Sequence, residues 1–150
     1  MTEREQLRHD IKQQLNSYQE LEAERRQLQE ELERLEILMS SPSSPNWDGM
    51  PRAPGVSNPV ERMAVKHVIL VSHYETQLHK MVEAQEAIEH LIERLEPTER
   101  RLARFRYIDG LRWEEVCDMV NYSWRQTHRI HGRMLDKLVD AELERRKENK

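Results

Sequence analysis

The chain has 150 residues, 35% of them charged and only 5% aromatic, which excludes one large apolar core and favours a small domain with extended helical parts. Four glycines argue against a turn-rich β protein, and a single cysteine, Cys117, excludes an internal disulfide and fits a reducing cytoplasm. The net charge of −4 hides an asymmetry: residues 1–39 and 60–97 carry −4 and −3, whereas residues 98–138 carry +3. No apolar run approaches the roughly 20 residues of a membrane span, and the opening residues lack the shape of a signal peptide, so a cytoplasmic location away from membranes is expected. An acidic whole leaves nucleic-acid binding open, because phosphate attraction is local and screened beyond about 10 Å at 0.1 M salt.

Residues 3–39 contain neither Gly nor Pro. Steps of four and three from Leu7 reach Ile11, Gln14, Tyr18, Leu21, Arg25, Leu28, Leu32, Leu35 and Met39, and eight of these ten positions suit a coiled-coil seam. Gln14 and Arg25 interrupt it, and Leu15 stands ready to fill the first gap. The spacing predicts a helix about 50 Å long at 1.5 Å per residue. Opposite charges three or four apart on its other faces add only about 0.2–0.5 kcal/mol per pair, so the narrow apolar stripe needs a second helix, from a second copy or from the same chain.

Residues 40–58 form a Pro/Ser-rich linker, with prolines at 42, 45, 51 and 54. Its Trp47, Met50 and Val56 give part of it something to pack. Asn58, Pro59 and Glu61 then read as N-cap, first helical residue and capping-box acid. The helix they open is expected over 59–95, with a broad apolar face around Val65–Val71 able to touch more than one partner. Its length matches the first helix, which predicts an antiparallel pair, within one chain or between two. His67, His73 and His79 lie six residues apart, hence about 120° around the helix, and do not converge on a metal.

Residues 96–140 read as a three-helix domain, and 141–150 as a charged tail. Pro97 separates it from the long helix. Its core is assigned to Leu102, Phe105, Ile108, Leu111, Trp113, Val116, Val120, Tyr122, Ile130 and Leu135, with Cys117 as small filler. Trp113, Val116, Cys117 and Val120 give one short helix a single apolar face. Asn121 tolerates the left-handed conformation of a turn, and Ser123 is a good N-cap for the next helix. Tyr122 is expected to plug the core beside the turn. Thr127, Ile130, Met134, Leu135 and Leu138 point inward along the last helix, leaving Trp124, Arg125, Gln126, His128, Arg129 and Arg133 outside. That is the spacing of a helix-turn-helix whose second helix can enter a major groove. Arg125 and Arg129 suit bidentate contact to guanine, and Gln126 could read adenine. Trp124 suits a thymine methyl, backbone sugars or a protein interface. Arg112 and Arg133 suit phosphates. The pair His128 and His131 lacks a third ligand for a metal. No nucleophile–base, carboxylate-pair or phosphate-loop constellation stands out, so neither catalysis nor a cofactor is expected.

These residues carry a resemblance. Leu95, Pro97, Glu99 and Arg100, then Arg106 through Val116, then Tyr122, Ser123, Arg129 and Ile130 resemble region four of sigma-70-type transcription factors. The chain is more closely similar to small phage and prophage late-gene regulators of the ArpU and RinA type that carry this module. Gly49, Met50, Pro51 and Arg52, the opening Asn58, Pro59 and Glu61, and the run Tyr122, Ser123, Arg125, His131, Gly132 and Arg133 carry that similarity. The resemblance implies an all-α fold: two long helices in a coiled coil or hairpin, then a region-four-like helix-turn-helix. It implies a sequence-specific double-stranded DNA-binding transcription regulator in a bacterial host's cytoplasm, with Trp124, Arg125, Gln126, His128 and Arg129 facing the groove. The expected partners are DNA, a second copy of the chain and, as a further candidate, the host RNA polymerase. Position 124 departs from the pattern, where a small or charged residue is usual. Two other functions share the sequence features: a small-terminase-like DNA-packaging adaptor, and a coiled-coil protein that binds only other proteins.

Overall fold

A computed structural model describes residues 1–40 and 58–150. The linker, with Trp47, Met50, Val56 and the residues from Gly49 to Arg52, falls outside this range except at its two ends. Among the described residues the fold is all-helical, without a strand. Helix α1 spans Glu3–Ser40, α2 Pro59–Ile92, α3 Pro97–Ala103, α4 Trp113–Val120 and α5 Trp124–Glu148, and a π-helical turn, Arg104–Ile108, follows α3 directly. Helix α2 stops three residues short of Leu95, which folds back into the core (6% exposed) as its N–H bonds to the Ile92 carbonyl at 3.0 Å. The stretch expected as a charged tail is instead the end of α5, held by Glu142, which accepts bonds from Arg145 and Arg146 one turn on. None of these helices is long and apolar enough to cross a membrane.

The chain divides into two compact units that cut across the sequence blocks. One joins residues 1–21 to residues 81–150; the other comprises residues 22–80. In the first, Leu7, Ile11 and Leu15 of α1 pack with Ile88 and Ile92 of α2 and with Met134, Leu135, Leu138 and Val139 of α5. Ion pairs fix α1 and α5 as antiparallel neighbours: Arg4 with Asp140 at 2.6 Å and Arg8 with Asp136 at 2.5 Å. A second cluster joins Leu102, Val116, Val120 and Ile130, with Phe105, Leu111 and Trp113 packed against it.

In the second unit, Leu28, Leu32 and Leu35 of α1 cluster with Met63, Leu70, Val71 and Tyr74 of α2. Arg25, the polar break in the seam, is accommodated by Glu22 at 2.7 Å and by the Tyr74 hydroxyl at 3.4 Å. The apolar stripe of α1 is therefore covered within the chain, over residues 7–15 in one unit and 28–35 in the other. On α2 the broad face is covered only in part: Leu70 is buried, while Val65, Val68 and Ile69 are exposed.

Candidate nucleic-acid interface

The local architecture around α4 and α5 follows from a few residues. The π turn widens the helix by one residue per bond, and its end is closed by the Asp109 N–H on the Arg104 carbonyl at 2.9 Å. The carbonyls it leaves at Tyr107 and Ile108 accept from the Gln19 side chain, at 3.3 and 2.7 Å. Gly110 follows with φ +69°, a conformation that favours glycine, and a Cβ there would stand 2.5 Å from Gln19 Oε1, so the end of that side chain would have to shift. Asn121 closes α4 at φ 59°, ψ 39°, in the left-handed region. Ser123 starts α5, its hydroxyl accepting the Gln126 N–H at 3.1 Å.

Tyr122 does not plug the core: it is 41% exposed, and the cluster beside the turn is made by Val120, Ile130 and their neighbours without it. Thr127, Ile130, Met134, Leu135 and Leu138 are buried, which fixes the roll of α5. The opposite side presents Arg125, Arg129 and Arg133. These stand four residues apart and drift by about 40° per step, so they form one ridge along the exposed side of the helix. Among the described residues none of the three meets a carboxylate. Other cations of the same unit are engaged: Arg104 with Glu89, Lys137 with Glu99, Arg112 with Glu115, and Arg106 over the Trp113 ring at 4.8 Å. The Arg112 pair is exposed and within one helical turn, so opening it costs little.

His128 does not stand free on the outer face. Its ring lies between two indoles, 4.5 Å from Trp113 and 4.3 Å from Trp124, and its Nε2 is buried without a hydrogen-bond partner. Trp113 also meets His131 at 4.7 Å, and the Tyr107 hydroxyl lies 2.5 Å from His131 Nε2. A chain of rings thus runs from Trp124 to Tyr107 and ties the N-terminal half of α5 to α4 and the π turn. Trp124 remains 53% exposed, with one neighbour already taken. Gln126 is half-buried. The spacing of Trp124, His128 and His131, four and three residues apart, carries the signal for this stack; reading each ring as a separate outward contact misses it.

Burial, then the charges of Lys12, His128, Arg8 and Arg106, push the His131 imidazole down to about 4. Burial pushes the Tyr107 phenol up to about 12, so it stays a hydroxyl. Among the described residues no three His, Cys, Asp or Glu side chains stand close enough to hold a metal ion. Searches of protein families, of curated proteins and of solved structures find no match to this chain.

Proposed function

We propose that the chain is a sequence-specific double-stranded DNA-binding transcription regulator of phage or prophage type, in which α4 and α5 act as a helix-turn-helix. The observation that carries the reading is the ridge of Arg125, Arg129 and Arg133. Three guanidiniums on one exposed helical edge, without a carboxylate among them, suit a polyanion more than a protein surface. The short turn before α5, with Asn121 left-handed and Ser123 capping, gives the helix a defined start. The motif resemblance to region four of sigma-70-type factors supports the same reading.

Under this proposal α5 lies in the major groove, Arg125 and Arg129 contact guanines, Arg133 and Arg112 contact phosphates, and Trp124 packs on a thymine methyl or on sugars. His128 acts through Trp124 as its inner support. Selection of bound duplexes from a random pool, with purified protein of known mass, tests the reading. A palindrome assigns two copies to the operator, and a single half-site assigns one. Arg129→Ala is expected to cost about 1–3 kcal/mol on the selected site and far less on random duplexes. Equal losses on both would make Arg129 a phosphate contact, and no enrichment at all would overturn the function.

A further inference from the structure

We propose that Lys12, on α1, is a DNA-phosphate contact, so that the nucleic-acid surface extends beyond α4 and α5 onto the first helix. The inference rests on reading α5 as the groove helix. It comes from the register of the α1–α5 seam. Arg4 pairs with Asp140 and Arg8 with Asp136, so each step of four along α1 matches a step of four back along α5. The next step sets Lys12 opposite residue 132. At the two earlier positions α5 supplies an aspartate; here it supplies Gly132.

Nothing stands within 4 Å of where a Cβ of Gly132 would be, so the space facing Lys12 is open. Lys12 is exposed and, among the described residues, meets no carboxylate. Its charge is nonetheless felt in this region, since after burial it is the strongest of the charges that keep His131 neutral. On α5 the position is bordered by Arg129, one turn earlier, and Arg133, the next residue. The ladder of ion pairs thus ends where the ridge of free guanidiniums begins. An exposed ammonium whose register places it next to positions 129 and 133, both unpaired arginines, suits an anionic partner. A lysine is a point charge without the planar fork that reads guanine, so it suits a phosphate oxygen rather than a base edge.

The test compares wild type, Lys12→Gln and Lys12→Arg, as full chains, on duplexes of random sequence across a salt series. Lys12→Gln is expected to weaken binding roughly five- to tenfold near 0.1 M salt and to reduce the slope of log affinity against log salt by about 0.9. Lys12→Arg is expected to keep the wild-type slope, and thermal unfolding of both variants should match wild type. A steep wild-type slope that Lys12→Gln leaves unchanged overturns the proposal for Lys12 while leaving the DNA reading intact. A wild type that does not bind, or binds without salt dependence, overturns both.

Discussion

An imidazole that is buried first and then faced by Lys12, His128, Arg8 and Arg106 gains nothing from a proton. His131 is therefore neutral down to about 4 in the folded chain, whereas the ordinary value of 6.5 applies once it unfolds. Between those values the unfolded chain holds one more proton than the folded chain, so stability falls as pH drops through 6.5. Lowering the pH from 7.5 to about 5 is expected to remove up to about 2 kcal/mol, read from urea midpoints. Glu142 does not confuse the window. Its Arg145 hydrogen bond, with Arg146 adding to it, holds the carboxyl down at about 2, so its contribution fades only below the ordinary 4.5. His131→Gln should flatten the profile above pH 5; an unchanged profile would place the proton uptake elsewhere. The same ring anchors Tyr107 and Trp113, so the neutral state that protects stability also holds α5 against the π turn.

At the scale of elements, Gly132 is an interior glycine of a 25-residue helix, and a methyl there meets no atom within 4 Å. Gly132→Ala is expected to raise stability by roughly 0.5–1 kcal/mol, measured by thermal unfolding, because the backbone loses less freedom on folding and nothing is displaced. Gly110→Ala would do the reverse, since φ is +69° and the end of the Gln19 side chain would have to move aside. Such positions show how far the residues alone could be read. Helix positions, the left-handed Asn121, the Ser123 cap and the inward row from Thr127 to Leu138 are local properties of spacing and side-chain chemistry, and they were legible. So was the inward stripe of α1 from Leu7 to Leu35, including Leu15 beside the gap at Gln14, whereas Met39, expected to continue it, is 43% exposed. Its partner was not legible: a period of 3.5 states that Leu7, Ile11 and Leu15 must be covered, but not that α5 covers them. The π turn escaped for a related reason, because the Gln19 amide that donates to its carbonyls comes from 88 residues away. For the candidate site, the outward placement of Arg125, Arg129 and Arg133 was legible, while their freedom from carboxylates and the seat of His128 between two indoles depend on tertiary packing.

At the scale of the whole molecule, the helices read as the DNA-binding part borrow their core from the far end of the sequence. A segment of about 45 residues buries too little surface to be secure alone. Here Leu7, Ile11 and Leu15 supply the missing apolar area, and all three are almost fully buried with Met134, Leu135, Leu138 and Val139. The second unit has its own smaller cluster, built on Leu32, Leu35 and Leu70. Two substitutions of the same kind should then have different reach. Leu15→Ala removes a side chain with 0% exposure and is expected to cost about 2–5 kcal/mol. Leu32→Ala, at 9% exposure, should cost toward the lower end of that range. Amide hydrogen exchange separates the consequences. Leu15→Ala should release the amides of α4 and α5, although it lies more than a hundred residues before most of α5, whereas Leu32→Ala should release those of residues 22–40 and 59–80 and leave α4 and α5 protected. Equal release in both variants would mean that the two clusters open together, and the division of labour between them would fall. Selective release makes α1 a structural part of the unit proposed to read DNA, the same condition under which the proposed contact of Lys12, beside Gly132, with a phosphate can form.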